Sequence, residues 1–321
     1  MRNPNPSLPL ISVAIPTYNG GKRILHALAS LQRQDYDNLE IIISDNSSTD
    51  DTQAIVEYQA TQDPRIRYFR HERNLGASYN FDFGLKQARG KYFIWMSDDD
   101  QLTDGALRRY CDFLETHSDY SLVSGVIHYV EGDEIVSRES NIRLDQNSQI
   151  KRCLEYYARV KEGGMYHGMM RTHLAQRLDV APTLGSDWHF VASMAFMGKM
   201  RILDFVGYSK SRGGISSSFH HYARTYGERP IWGYLPFVKI GLDAFRQVMK
   251  TQQVFGDLGF AQRFFLATGS CVLVWAHYYA WIVPRMGLGW ILRRLRIKTP
   301  KQRSLEKGLQ SHHSQQKARS A

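Results

Sequence analysis

Apolar positions over the first 115 residues alternate between two periods. Leu10–Ile15 is a short run rich in β-branched residues and closed by Pro16, the pattern of a buried strand. Ile24, Leu25, Leu28 and Leu31 then recur at helical spacing. Leu39–Ile43 predicts a second strand, ended by the turn-forming run SDNSSTD, whose Asp50 is placed to cap a helix carrying Ile55, Val56 and Tyr58. Ile66–Phe69 predicts a third strand, residues 76–88 a helix, Tyr92–Met96 a fourth strand and Gly105–Leu114 another helix. The crossovers are too long for hairpins. The alternation therefore predicts an α/β fold, a doubly wound and mostly parallel sheet with helices on both faces.

The rhythm changes after residue 120. Leu122–Val130 and Glu134–Ser137 flank Glu131-Gly132-Asp133 and predict a hairpin. Helical spacing returns near 149–160 and 186–197, followed by a strand near 201–208 and the Gly/Ser-rich loop RGGISSS at 212–218. From about residue 231 the pattern is aromatic and helical. The expected organisation is a catalytic domain over 1–225, an aromatic helical region over 226–298 and a basic, polar, disordered tail over 299–321.

Composition narrows the class. Of 321 residues, 43% are hydrophobic and 22% charged, which excludes pervasive disorder and a polytopic membrane protein. The net charge is +10, and all but one unit of it lies beyond Pro284. A balanced body argues against a broad nucleic-acid-binding face, and a basic tail argues for a local anionic partner. Phe264–Val283 approaches the length of a bilayer span, yet it contains Thr268, Ser270 and His277 and its aromatics favour interfaces. It predicts a surface helix on anionic membrane instead of a span. Three scattered cysteines, Cys111, Cys153 and Cys271, offer no disulfide framework, and the first ten residues lack a signal-peptide core. The expected location is cytoplasmic, peripheral on the inner membrane face. The oligomeric state stays open.

In an open α/β sheet ligands bind at the carboxyl ends of strands. Three such ends are polar here: Pro16-Thr17-Tyr18-Asn19, Asp45-Asn46-Ser47-Ser48 and Ser97-Asp98-Asp99-Asp100. Adjacent carboxylates repel unless a cation joins them, and hard oxygen ligands suit Mg²⁺ or Mn²⁺, which would neutralise a pyrophosphate. The phosphate-binding patterns GxGxxG after the first strand and GxxxxGK[ST] are absent.

PTYN, SDNSSTDDT, NLG at 74–76, ARGKYFIWMSDDD at 88–100 and GSDWHF, in this order, resemble the family 2 glycosyltransferases of the GT-A fold, of the kind that build bacterial polysaccharide or O-antigen. The resemblance covers roughly residues 8–220. It implies a nucleotide-sugar donor, a saccharide or lipid-linked acceptor, inversion at the anomeric carbon and a divalent metal. Carried over by position, it puts Pro16, Thr17 and Tyr18 at the nucleoside, Asp45 at the base edge and Asp98 at the nucleotide. The acidic motif permits two registers. One makes Asp99 the metal-proximal residue with Ser97 in place of the usual first carboxylate; the other retains Asp98 and Asp100 as the flanking pair. The resemblance further implies a general base at Asp187, where Ser186 replaces the usual Glu, and a closing loop that brings Arg212, His220 or His221 to the diphosphate or metal. Trp188 offers a ring face for a pyranose. A rival of another class is a non-catalytic binding protein docked by its tail, separated from the enzyme by assaying sugar transfer with Mn²⁺.

Overall fold

The computed structural model describes residues 8–212, 219–225 and 227–281. The first half alternates as its periodicity predicts: β1 (Ile11–Thr17), α1 (Arg23–Gln32), β2 (Leu39–Asp45), α2 (Thr52–Gln62), β3 (Ile66–Arg70), α3 (Ala77–Gln87), β4 (Tyr92–Trp95), β5 (Gln101–Leu102) and α4 (Ala106–Thr116). A long hairpin follows, β6 (Tyr120–Glu131) with β7 (Glu134–Glu139), then β8 (Arg143–Leu144), α5 (Gln149–Arg159), a 3₁₀ turn over Gly164–His167, β9 (Met169–Arg171), α6 (Thr172–Ala175), α7 (Ser186–Met197) and β10 (Lys199–Ser211). The described residues end in helices α8 (Phe219–Thr225), α9 (Ile231–Tyr234), α10 (Pro236–Lys250), α11 (Gln252–Phe255) and α12 (Phe260–Trp281). The chain through Val274 forms one unit, and a second begins at Trp275.

The sheet order is β3-β2-β1-β4-β9-β6-β10-β5, with β7 on β6 and β8 on β10. β1 pairs in parallel with β2 and β4, and β2 with β3. β1 and β2 are buried at every position, as helices on both faces of a parallel sheet require. β9 runs antiparallel to both β4 and β6, so β4, β6 and β10 all point the same way and their carboxyl ends share one edge. The buried Glu40 clamps the opposite end of β1–β3: it accepts from the Ser12 hydroxyl (2.5 Å), the Arg89 N–H (2.7 Å) and the Arg67 guanidinium (2.7 Å). The predicted cap Asp50 does bond the start of α2, from one residue ahead of the N-cap position, whose own side chain makes no cap bond. Asp51 is the N-cap of α2, while Asp50 accepts the Thr52 N–H (3.1 Å) and hydroxyl (2.5 Å).

β10 is irregular where it matters for the site. Its pairing with β6 shifts register between Leu203 and Val206 and again between Val206 and Tyr208. Such bulges bend a strand and re-aim its side chains. Here the irregularity lies where two glycine backbones meet: a Cβ on Gly125 would stand 2.8 Å from Gly207. A Cβ on Gly207 would stand only 1.8 Å from the Tyr110 hydroxyl oxygen, which accepts the Gly125 N–H at 2.8 Å.

Gly207→Ala should therefore destabilise the protein by about 1–3 kcal/mol through overpacking. Because the clashing atom is the Tyr110 hydroxyl, Tyr110→Phe in that background should restore part of the loss. Denaturant melts of the two single variants and the double variant check this, and additive effects would refute it.

Candidate active site

The first polar cluster forms where β1, β2 and β4 end. Thr17 and Asp45 are register partners across β1 and β2. The turn after β1 uses left-handed backbone at Asn19 (φ 51°) and Gly21 (φ 46°). That curl brings it against the acidic triplet: Thr17 donates to Asp98 at 2.5 Å, and a Cβ on Gly20 would lie 2.6 Å from the Asp98 carboxylate. Pro16 and Thr17 are buried, and Tyr18 is 47% exposed over them.

Asp45 is fully buried, and both of its oxygens accept hydrogen bonds within the fold. One takes the Ser48 N–H (2.8 Å) and hydroxyl (2.6 Å), the other the Tyr68 hydroxyl (2.6 Å). In this structure Asp45 holds the β2 turn, with three of its acceptor positions used within the fold.

The triplet Asp98-Asp99-Asp100 does not converge. Asp98 faces Thr17 and Arg23 (3.9 Å), whereas Asp100 turns toward β10, accepting the Tyr208 hydroxyl (2.9 Å) and the Ser211 N–H (2.8 Å). Burial pushes both carboxyls above the usual range; Thr17 and Arg23 oppose this at Asp98, and Lys210 and Ser211 at Asp100. Asp99 is half-buried, and its carboxylate accepts no hydrogen bond among the described residues; its backbone carbonyl takes the Ser211 hydroxyl at 2.7 Å. No group of three or more His, Cys, Asp or Glu among the described residues is arranged to hold a metal ion. Asp99 fits one in a different way, as a single open carboxylate completed by substrate phosphates, which is how Mg²⁺ is commonly bound.

A cavity of about 600 Å³ opens at the carboxyl ends of β6 and β10. Asp187 and Trp188 line it, together with Tyr129, Lys210, Arg212 and Phe237. Both come from the first turn of α7, whose start is set by Gly185 in a left-handed conformation (φ 71°). Gly185 is the N-cap, so Asp187 is not. Below, Gly163 (φ 72°) leaves room that a side chain would take: a Cβ there would meet the Asp187 carboxylate at 2.5 Å and the Trp188 ring at 3.0 Å. Trp95 of β4 stacks on Tyr166 of the 3₁₀ turn (4.4 Å, 14°) and meets Phe190 of α7 edge-on (4.9 Å), which fixes α7 against the sheet. Burial pushes the Asp187 carboxyl up, opposed by the Lys210 ammonium and by N–H groups at the helix start.

Arg212 sits at the cavity with one guanidinium nitrogen 2.8 Å from each oxygen of Glu162 and its charge over the Tyr129 ring (5.7 Å). His220 falls in α8, but its side chain lies outside the described residues; His221 is exposed. Three residues that motif reading passed over join the site. The buried His167 accepts Lys210 Nζ at its Nε2 (2.7 Å), and its Nδ1 lies 3.2 Å from the Trp95 carbonyl and 3.3 Å from the Tyr208 hydroxyl. Tyr208 closes the strand predicted near 201–208 and Lys210 lies beyond it; β10 runs on to Ser211, and neither residue was readable as a partner of residues 40 to 110 positions earlier.

Residues 12–177 match the family model described as Glycosyl transferase family 2. Over 147 residues the chain is 35% identical to the GalNAc(5)-diNAcBac-PP-undecaprenol beta-1,3-glucosyltransferase of Campylobacter jejuni, a match covering 45% of this chain and 47% of that one. It is 29% identical over 124 residues to the glycosyltransferase GlyG of Streptococcus pneumoniae, covering 39% of this chain and 41% of that one. The chain thus spans less than half the length of these curated relatives. Among solved structures, S. aureus TarS 1–349 in complex with UDP-GlcNAc superposes with a TM-score of 0.60 at 20% identity, over 85% of this chain and 73% of that one. The mannosyltransferase PcManGT from Pyrobaculum calidifontis, in complex with GDP-Man and Mn²⁺, gives 0.52 at 16% identity, over 93% and 84%. These two establish the GT-A-type fold.

Glu139 underlies the cavity wall. It accepts the Gly164 N–H (2.8 Å) and the Tyr129 hydroxyl (3.1 Å), while its other oxygen is buried with no hydrogen-bond partner among the described residues. Burial pushes its carboxyl from 4.5 up to about 7, opposed by those two donors. The folded chain therefore holds a proton that the unfolded chain releases between about pH 4.5 and 7. The associated stability is fully present below that window and is lost as pH rises through it. Glu139→Gln copies the protonated form, so its Tm should exceed that of the parent by a few degrees at pH 8, with the difference vanishing near pH 4. Thermal melts across pH check this; a constant difference would refute it.

Proposed function

The chain belongs to glycosyl transferase family 2, and on that premise we propose that it is an inverting transferase. It moves a sugar from a nucleoside-diphosphate sugar to a hydroxyl of a saccharide or lipid-linked acceptor, in bacterial surface polysaccharide synthesis. The observation that carries this reading is the Asp187 carboxylate, made more basic by burial and facing a cavity beside the Trp188 ring. A one-step inverting displacement needs such a group to take the acceptor hydroxyl's proton as it attacks. Trp188 and Phe237, 5.9 Å apart and both on the cavity, offer ring faces to the acceptor sugar.

At the other end of the site, Pro16, Thr17 and Tyr18 would carry the nucleoside beside the turn that Asp45 holds, with Asp98 fixing that loop through Thr17. Asp99 would hold Mg²⁺ or Mn²⁺ together with the donor's phosphates, and the ion would supply charge neutralisation. Asp100 is committed to Tyr208 and Ser211, which favours the register in which Asp99 is the metal residue. Arg212 would serve the donor after leaving Glu162.

The C-terminal region would hold the chain on the anionic cytoplasmic face of a membrane. No helix among the described residues is long and apolar enough to cross one. The start of α12 instead exposes Phe260 (74%), Phe264 (48%) and Phe265 (61%) to solvent, and the basic run of the sequence follows this helix.

Asp187→Asn should lower turnover by about 10²-fold or more with donor affinity unchanged; retention of more than about a tenth of turnover would remove Asp187 as the base. In the same assay Asp99→Ala should weaken donor binding and abolish the response to Mn²⁺, and a variant that still loses its activity to EDTA would reject Asp99 as the metal residue. Sedimentation with anionic vesicles tests the membrane reading: Phe260→Ser combined with Phe265→Ser should reduce pelleting, as should high salt, and unchanged pelleting in both would overturn it.

A further inference from the structure

Lys210 is the cation around which the inner half of the site is built. It lies on β10 between Tyr208, whose hydroxyl reaches Asp100, and Ser211, whose N–H reaches Asp100 and whose hydroxyl reaches the Asp99 carbonyl. Its side chain lines the same cavity as Asp187. It therefore stands between the acidic triplet and the carboxylate proposed as base, where the bond to the leaving group must break if both have those roles.

Its one described hydrogen-bond partner is His167, at 2.7 Å. A backbone carbonyl only accepts, so the 3.2 Å contact between His167 Nδ1 and the Trp95 carbonyl places the ring proton on Nδ1. Nε2 is then a lone pair that accepts from Lys210. The ring is neutral, stacked on Tyr208 (5.0 Å, 19°) and cut off from water. It orients the ammonium without cancelling its charge. Asp100 does not cancel it by contact either, since its oxygens are taken by Tyr208 and Ser211 and Lys210 forms no ion pair among the described residues. Arg212, the neighbouring cation, is already paired with Glu162. A lysine fixed by a neutral acceptor, with two N–H bonds left to donate, is prepared for an incoming anion.

We propose that Lys210, oriented by His167, is a catalytic residue that binds the donor's diphosphate and stabilises it as it leaves. This rests on the transferase reading above. In the step, the acceptor oxygen forms its bond to the anomeric carbon as the bond from that carbon to the β-phosphate oxygen breaks. The electron pair departs with the phosphate, the acceptor proton passes to Asp187, and Lys210 keeps its protons while donating a hydrogen bond to the phosphate.

The test is calorimetric titration of UDP, GDP and their monophosphates into the full chain with Mn²⁺ present, paired with turnover. Lys210→Met should lose about tenfold or more in affinity for the diphosphate that binds, the size of a lost charge-assisted hydrogen bond. Its monophosphate affinity should stay within about twofold, because a nucleoside contact is untouched. Turnover should fall by about 10²-fold, as when one preorganised donor is removed. Lys210→Arg should recover part of both, which guards against a simple folding defect, and His167→Phe should show the same selective loss to a smaller degree. Diphosphate affinity unchanged in Lys210→Met, or equal losses for both phosphates, would overturn the assignment of Lys210 alone. A parent protein that binds no nucleoside diphosphate, with ADP, CDP and dTDP tried beside UDP and GDP, would overturn the transferase reading on which it rests.

Discussion

A carboxylate withdrawn from water costs several kcal/mol unless donors replace the water, and the carboxyl edge of this sheet withdraws several. Asp45 is given Ser48 and Tyr68, Asp98 is given Thr17 and Arg23, Asp100 is given Tyr208 and Ser211, and Glu139 is given Gly164 and Tyr129. Each donor lies on a different element from its carboxylate or across a turn from it, so satisfying the acids also sets the turns after β1 and β2, the approach of β10 and the 3₁₀ turn. Asp99 and Asp187 differ. They share an edge with the others, but Asp99 has no such partner among the described residues, and Asp187 is answered by the Lys210 charge and by N–H groups at its own helix start. Carboxylates without committed partners are available for chemistry, and this separates structural acids from candidate catalytic ones.

The wall facing Asp187 is built by residues beyond the stretch that matches the family model, which ends at residue 177. Phe237 and Ile240 of α10 reach the cavity, and Ile240 packs on Gly185, where a Cβ would come within 3.0 Å of it. Below them the buried Lys239 bridges Glu228 (2.6 Å), Asp243 (2.5 Å) and the Thr183 hydroxyl (2.9 Å). That network ties α10 to the loop leading into α7. The polar strand ends proposed for the donor thus lie within the stretch that matches the family model, while the cavity proposed for the acceptor also draws on α10, beyond it.

Much of this was legible beforehand because it is written in local periodicity. The apolar runs of β1, β2 and β4 are long enough to stand out, and their polar ends name Thr17, Asp45 and the triplet. The pattern GSDWHF marks the start of α7 to the residue. What was not legible depends on distant pairs. β5, β8 and β9 are two or three residues long, too short for any period, yet β9 sets the direction of β6 and β10 against the parallel half. Lys210 looks like an ordinary charged strand residue until the register shifts of β10 turn it and Tyr208 toward His167. The committed state of Asp45, whose role in sequence is indistinguishable from that of an exposed strand-end aspartate, likewise appears only once Tyr68 arrives from β3.

The pairing of Arg212 with Glu162 has a further consequence for selectivity. Glu162 is a tethered competitor, a carboxylate held at high local concentration against the guanidinium that an anionic ligand would seek. A ligand that reaches Arg212 trades one ion pair for another and gains only the difference between them. A singly charged group gains little by that trade, while a diphosphate, with more charge and more acceptor oxygens, displaces the carboxylate at a profit. If Arg212 meets the donor as proposed, the contact would act as a threshold on ligand charge.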